Sequence, residues 1–245
     1  MDHVPLPQPV RIERSGAVLT FTLDNPGHGN EITGPMFEAM LAALRAEASA
    51  PAARVLRIRA VGETFCSGRE RAGRDAVTIH AEVARLIELK KQLRASPLIT
   101  IAEVQGDALG FGFGLAILCD FTLVSTRANL AFPEMRKGLP PAAIMAYLGR
   151  YALPKPVFPM VLFGDPITPA VALQAGLITK ICEPAALQSD VDALVERILG
   201  LDEAGARQCK AFFQAAGENT IEQNFRCATE MLTVTSLRLM QPPAG

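Results

Sequence analysis

The chain carries almost no excess charge: 24 Lys and Arg stand against 25 Asp and Glu over 245 residues, a formal net charge of -1. Without a basic surplus there is no bulk electrostatic footprint for a nucleic acid or an acidic membrane, although a local basic cluster can still grip a phosphate. A long apolar run is also lacking. The longest, around Ala108–Cys119, is too short and too rich in glycine to span a bilayer. No signal peptide is expected, because MDHVPLPQPV places an acid and three prolines where an apolar segment belongs. The five cysteines (Cys66, Cys119, Cys182, Cys209, Cys227) include no CxxC, and their odd number argues against a full disulfide framework. They are expected as reduced thiols in a cytoplasm. The three histidines (His3, His28, His80) share no ligand spacing with them, so no metal site is expected.

Several nucleotide and nucleophile motifs are missing too. Gly110-Phe111-Gly112-Phe113-Gly114 misplaces the third glycine of a GxGxxG dinucleotide loop. There is no GxxxxGK[ST] phosphate cradle. Ser67 lies outside any GxSxG elbow, which disfavours a serine-triad hydrolase.

What is present is a globular composition, 49% hydrophobic and 20% charged, long enough for one sizeable core or a core plus a small appendage. Val10–Glu13 and Val18–Leu23 read as a hairpin around Ser15-Gly16. After a loop over 24–33, apolar residues recur at helical spacing from Pro35 to about Ala48. Arg54–Ala60 reads as a strand. A helix is expected from about Val77 to Leu93, with Val83, Leu86, Ile87 and Leu93 on one side. Then come a strand at Leu98–Val104, a glycine-rich turn, a short buried helix around Phe113–Leu118 and a strand at Phe121–Ser125. Leu130–Phe132 and Gly176–Ile181 suggest two more strands. Strand-then-helix units without a residue-level repeat point to an α/β fold with much parallel pairing. From Glu183 the pattern changes to three helices, over 184–199, 202–216 and 218–239. Their apolar faces (Leu194, Ile198, Phe212, Phe213, Phe225, Leu232, Leu239) serve either core packing or a subunit interface.

Four segments in order resemble the signature of the crotonase (enoyl-CoA hydratase/isomerase) family. Leu23-Asp24-Asn25-Pro26 with Asn30-Glu31-Ile32 resembles "LNRP…NAL", and Phe65-Cys66-Ser67-Gly68-Arg69-Glu70 resembles "FCAGAD". Gly106 through Cys119-Asp120 resembles "GYALGGGCELALACD". Phe132-Pro133-Glu134 with Lys137-Gly138-Leu139-Pro140 resembles "FGQPEVKLGLIP". Gly164 to Ile181 is similar to the family's "TG…(S/T)A.EA…GLV..V" stretch. Singly these are weak; four in the right order are specific. The likeness spans roughly residues 10 to 183.

The resemblance implies a crotonase-like spiral of ββα units over 1–183, with 184–245 as a C-terminal helical, trimerising region. It implies an acyl-CoA thioester as ligand, coenzyme A entering with the substrate and no separate cofactor, and a homotrimer or hexamer. It also implies which residues act. Backbone N–H groups are fixed dipoles that stabilise a thioester enolate without reorganising, and the matching donors are those of Arg69 and Phe111. Ser67, Gly68, Glu70, Gly110 and Leu139 match substrate-binding positions, and Glu134 matches the acid/base. Burial near Phe111, Phe132 and Leu139 would raise its pKa.

Three departures shape the expected reaction. Phe111 replaces a glycine, so its ring either points outward or narrows the acyl pocket. Arg69 replaces a small or apolar residue and either meets a polar acyl group or pairs with Glu70. Gly114 stands where members that add water carry a second glutamate, which leaves Glu134 alone. One carboxylate suits a single-base proton transfer such as moving a double bond. The alternatives are a hydratase or thioester hydrolase with a substitute acid, Glu70 or Glu31, and a catalytically silent acyl-CoA-binding or assembly subunit.

Overall fold

The computed structural model describes residues 9–240; His3 and the proline-rich start lie outside the described residues. Strands β1 (Val10–Ser15) and β2 (Val18–Leu23) form an antiparallel hairpin, with Gly16 at φ +55° supplying the left-handed turn. After helix α1 (Gly34–Ser49) the chain winds in a repeating unit. Each turn places one strand in a large sheet, a shorter one in a small sheet, and then a helix. The second turn is β3 (Val55–Ala60), β4 (Thr64–Cys66) and α2 (Ala76–Ala95); the third is β5 (Ile99–Val104), β6 (Asp107–Leu109) and α3 (Phe111–Ile117). The fourth begins with β7 (Phe121–Ser125) and β8 (Leu130–Ala131) and passes through a 3-10 turn, Pro133–Lys137. Helices α4 (Ala142–Leu148), α5 (Pro154–Phe163) and α6 (Pro169–Gln174) precede β9 (Lys180–Cys182). Three helices close the chain: α7 (Leu187–Leu199), α8 (Glu203–Ala216) and α9 (Ile221–Met240).

The large sheet runs β1-β2-β3-β5-β7-β9 and the small one β4-β6-β8; every pair except β1–β2 is parallel. The α/β architecture expected from the sequence is therefore present. Strands covered on both faces read as apolar runs rather than as alternations, and β5 shows it, with Ile101, Ala102 and Val104 fully buried. On one side the core joins the sheets to α1 through Phe37, Met40, Leu41 and Leu44, the stripe of one helical face.

Two differences from the sequence expectation have clear causes. Of the small sheet only its last strand was expected, from Leu130–Phe132; Thr64–Cys66 was not read as a strand and Asp107–Leu109 reads as part of a turn, because strands of two or three residues are too short to show a period. The buried face of α2 is Leu86, Leu89, Lys90 and Leu93, whereas Val83 is exposed. The helix is thus rotated relative to the purely apolar stripe, and a lysine is carried inside.

Of the two roles left open for the tail, core packing is seen at α7. Leu187, Val191, Val195 and Ile198 of α7 pack on Val55, Ile101 and Leu123 of the large sheet, which is core packing. Phe213 of α8 and Phe225, Leu232, Leu237 and Leu239 of α9 stand exposed. Helix α8 is held to the sheet by a polar clasp: Lys210 Nζ donates to the Leu98 carbonyl at 2.5 Å and to Asp120 Oδ2 at 2.7 Å. The same Asp120 oxygen accepts from the Thr100 N–H at 2.7 Å and from its hydroxyl at 2.8 Å. Removing one member leaves buried acceptors unpaired, at about 1–3 kcal/mol. Lys210→Met should therefore lower the unfolding free energy in urea by about that amount; an unchanged midpoint would show that the clasp contributes nothing.

Candidate active site

The site forms where loops leave the C-terminal ends of the small parallel sheet, the usual place for a ligand in such sheets. Cys66 of β4 pairs with Ala108 of β6, and Ala108 pairs with Leu130 of β8. Arg69 and Phe111 each lie three residues beyond a paired position, and Glu134 lies four beyond. Register alone therefore carries the three loops out side by side, from strands about 4.8 Å apart.

At Phe111 the backbone turns abruptly. Gly110 takes φ +51° and donates its N–H to the Ala131 carbonyl at 2.9 Å, while its own carbonyl receives the Gly114 N–H at 2.9 Å. Phe111 is the first residue of α3, where an N–H has no intrahelical acceptor. Arg69 presents its amide by another route. Ile32 bridges to it in parallel fashion: the Ile32 N–H donates to the Gly68 carbonyl at 3.1 Å and the Ile32 carbonyl receives the Glu70 N–H at 3.0 Å. In that pattern the amide between the two bonded groups, that of Arg69, faces the opposite side. Asn30 secures this bridge from beneath. It is fully buried, its Nδ2 donates to the carbonyls of Val61 (2.9 Å) and Thr64 (2.7 Å), and its Oδ1 receives the Asn25 N–H at 2.8 Å. Gly68, at φ +144°, takes a backbone shape open to glycine, and the Ser67 N–H donates to the Gly29 carbonyl at 2.9 Å.

The side chain of Arg69 does not pair with the carboxylate of Glu70. Its Nη1 reaches Glu82 Oε2 of α2 at 3.6 Å and the backbone carbonyl of Glu70 at 3.2 Å. Glu82 also accepts from the N–H groups of Ala72 (3.1 Å) and Gly73 (2.6 Å), so one carboxylate clips the loop after Arg69 to α2. Glu70 itself is exposed, beside a small cavity of about 130 Å³ bordered by Phe37, Arg69, Glu82 and Arg85. A larger hollow of about 350 Å³, bordered by Arg150, Tyr151 and Pro156, includes none of the sequence-derived site residues and lies apart from this chemistry.

Glu134 sits on the 3-10 turn after β8, half-buried, with Oε2 shielded from water and unpartnered among the described residues. An unsatisfied buried carboxylate oxygen calls for an explanation. Burial pushes the Glu134 pKa up, against the opposing pull of Lys90, Arg71 and Lys137. Phe132 is fully buried just before it, stacked on Phe113 with centroids 5.0 Å apart. Leu139 contributes little apolar cover, being 39% exposed, although its N–H holds the Glu134 carbonyl at 3.1 Å.

The ring of Phe111 turns inward. It is buried edge-on against Phe37, centroids 5.4 Å apart, and so does not point outward. On its other flank stands a group that the sequence reading missed, Lys90. Its Nζ lies 5.0 Å from the Phe111 ring and 4.7 Å from the Tyr147 ring, and donates to the Tyr147 hydroxyl at 2.7 Å. That hydroxyl donates onward to the Gly114 carbonyl at 2.7 Å. Burial drives the Lys90 pKa down to about 7, against the opposing attraction of Glu134. The available signal was a lysine at a helical position shared with Leu86, Leu89 and Leu93.

Lys90 and Tyr147 also explain Gly114. A Cβ there would lie 2.6 Å from the Tyr147 hydroxyl, 2.9 Å from Ile144 Cγ1 and 2.9 Å from Lys90 Nζ. The place of the missing second glutamate is filled, not vacant. Installing a carboxylate at position 114 would displace these groups rather than restore a water-holding pair.

A ββα spiral whose small parallel sheet delivers two backbone amides and one half-buried carboxylate defines the class of crotonase-fold proteins. The comparisons agree. The family model for enoyl-CoA hydratase/isomerase matches residues 13–238, and the chain belongs to that family. It is 26% identical over 239 residues to enoyl-CoA hydratase domain-containing protein 3, mitochondrial, of Xenopus laevis, covering 95% of this chain and 79% of that one. An enoyl-CoA hydratase structure from Mycobacterium smegmatis superposes with a TM-score of 0.89 at 25% identity, over 96% and 92% of the two chains. A protein of Thermobifida fusca YX, described as a candidate enoyl-CoA hydratase and solved in complex with CoA, gives 0.85 at 28% identity over 94% of each chain. A structure of a candidate enoyl-CoA hydratase from the same organism in complex with acetoacetyl-CoA gives 0.85 at 28% identity over 95% and 96% of the two chains.

The packing at Gly114 is directly testable. Overpacking a dense site costs about 1–3 kcal/mol, so Gly114→Ala should lower the thermal midpoint clearly. Combining it with Tyr147→Phe, which removes the nearest atom, should recover part of the loss. A neutral Gly114→Ala would mean the pocket behind α3 is loose.

Proposed function

We propose that this protein binds an acyl-CoA and moves a proton on it, with the N–H groups of Arg69 and Phe111 stabilising the thioester enolate and Glu134 as the acid/base. The observation that carries the reading is Glu134 Oε1, which would stand 2.7 Å from a Cβ at Gly110, immediately beside the Phe111 amide. A carboxylate so close to an enolate-stabilising donor is placed to take a proton from the carbon next to the thioester. Its unpartnered Oε2 and raised pKa suit transfer nearer neutrality than an ordinary glutamate allows. The ligand class is supported by the Thermobifida fusca YX structures with CoA and with acetoacetyl-CoA, each similar over nearly its whole length. Coenzyme A then arrives as part of the substrate, with Ser67, Gly68, Glu70, Gly110 and Leu139 as its surroundings. No separate cofactor is invoked.

Single-base transfer, double-bond isomerisation in the first instance, remains our preferred reaction over hydration. The space at position 114 is occupied by a lysine and a tyrosine rather than a second carboxylate. Glu70, an earlier candidate for a substitute acid, is exposed in the loop beyond Arg69 and is a poor second base. The free thiols Cys66, Cys119, Cys182, Cys209 and Cys227 suit a reducing compartment, and we favour the cytoplasm, although relatives carry a mitochondrial designation. Among the described residues no helix is long and apolar enough to cross a membrane.

Exchange of the α-protons of butyryl-CoA with D2O, followed by NMR, tests the chemistry without assuming a product. Glu134→Gln should slow exchange about 10²–10⁴-fold. The base must be ionised, and its pKa is raised by burial. The rate should therefore fall as pH drops through that raised value and level off above it. Exchange unaffected by Glu134→Gln would remove this residue from the mechanism.

We also propose a homotrimer or hexamer built through α8 and α9. The exposed Phe213, Phe225, Leu237 and Leu239 form an apolar surface that is costly in water. Sedimentation equilibrium should report three or six chains, and Phe225→Glu with Leu239→Glu should shift the protein toward monomer. A wild-type monomer would overturn this assembly.

A further inference from the structure

The acyl-CoA reading uses Glu134 and two amides and leaves Lys90 unexplained. Lys90 is an amine at 5% exposure, on a helix face otherwise made of leucine. One of its three donor directions is taken, by the Tyr147 hydroxyl at 2.7 Å. Among the described residues it has no carboxylate within ion-pair distance. Buried charges are normally paired or give up their charge. This one stands between two aromatic faces, which stabilise a cation only in part.

Its position relative to Glu134 follows from α3. The Gly114 N–H donates to the Gly110 carbonyl at 2.9 Å, which closes one helical turn and sets the two α-carbons about 6 Å apart. Glu134 Oε1 lies 2.7 Å from where a Cβ at Gly110 would stand, and Lys90 Nζ 2.9 Å from where one at Gly114 would. An acyl group whose thioester oxygen meets the Phe111 amide, with its chain directed along this turn, passes Glu134 first and reaches Lys90 about a turn later. The length spanned is that of a short chain, with two to four bonds between the thioester carbon and a terminal carboxylate carbon.

We propose, building on the acyl-CoA reading, that Lys90 with Tyr147 is a seat for a carboxylate on the acyl group, so that the preferred ligands are short dicarboxylic half-thioesters of CoA. The Lys90 ammonium takes the carboxylate in a charge-assisted hydrogen bond. The Tyr147 hydroxyl, donating to the Gly114 carbonyl at 2.7 Å, fixes the amine by accepting from it. The seat also accounts for glycine at 114, since any side chain there would fall on it.

The groups facing Lys90 are few. Tyr147 comes from α4 and is itself held far above its ordinary pKa by burial, with Tyr151, Glu134 and Cys119 adding to the rise. Glu134 comes from the 3-10 turn and is half-buried with a raised pKa of its own. Phe111 of α3 brings an uncharged ring. Free Lys90, with a pKa pushed to about 7, is mostly a neutral amine at pH 8. An anion bound to it favours the ammonium, so binding must take up a proton at that pH. The sign is opposite to that of a ligand preferring the neutral amine.

Calorimetry with length-matched pairs provides the test: malonyl-CoA against propionyl-CoA, and succinyl-CoA against butyryl-CoA. At pH 6.5 the dicarboxylic member of at least one pair should bind about tenfold or more tighter. That preference should shrink as pH rises through 7. At pH 8, titrations in buffers of different ionisation enthalpy should show uptake approaching one proton for the dicarboxylic ligand and none for its neutral partner. Lys90→Met should bring the ratio of affinities to about one, and Tyr147→Phe should reduce it. Proton uptake by the wild type decides the matter even where a variant folds poorly. Equal affinities within both pairs, without proton uptake, would overturn the seat while leaving acyl-CoA binding intact. Failure of all four thioesters to bind would instead overturn the acyl-CoA reading, and the seat with it.

Discussion

The close approach of side chains to the backbone of α3 is the constraint on which the rest of the site depends. Glu134 from one side and Lys90 with Tyr147 from another stand where side chains of residues 110 and 114 would otherwise project. Glycine at these positions lets a carboxylate, an amine and a phenol gather around a single helical turn without opening the core. Phe111, between these glycines, lays its ring edge-on to Phe37 of α1 with Lys90 Nζ 5.0 Å from its centroid.

That arrangement sets the electrostatics. Glu134 is pushed toward its neutral form by burial, and Lys90 is pushed the same way from the opposite charge. Each group also attracts the other, so neither titrates as an isolated side chain. Desolvation wins at both positions, which raises the Glu134 pKa and lowers that of Lys90 to about 7, and the two are not within ion-pair distance. The scaffold beneath is deliberately stiff. Asn30 ties the first loop to the turn between β3 and β4, Glu82 clips the loop after Arg69, and parallel register aligns all three site loops.

Much of this was legible residue by residue. The large-sheet strands and α1 announced themselves by apolar runs and helical spacing, and Glu134 stood out by its place after Phe132-Pro133. Of the small sheet only β8 did, because pairings of two or three residues leave no period, although the register of that sheet positions every site loop. Arg69 illustrates a partial reading. Its amide could be singled out from Ser67-Gly68, but the partner of its guanidinium, Glu82, lies on another element and could not.

The sequence by itself determined the α/β class, the order of the motifs and the place of Glu134 in the fourth of them, since these rest on local spacing and residue chemistry. Only the tertiary structure decided what fills the space at Gly114. Lys90 and Tyr147 are 57 residues apart, on α2 and α4, and each alone reads as an ordinary helix residue. Their meeting depends on how two helices rotate and pack against a third, and that is settled by the whole core rather than by any local pattern.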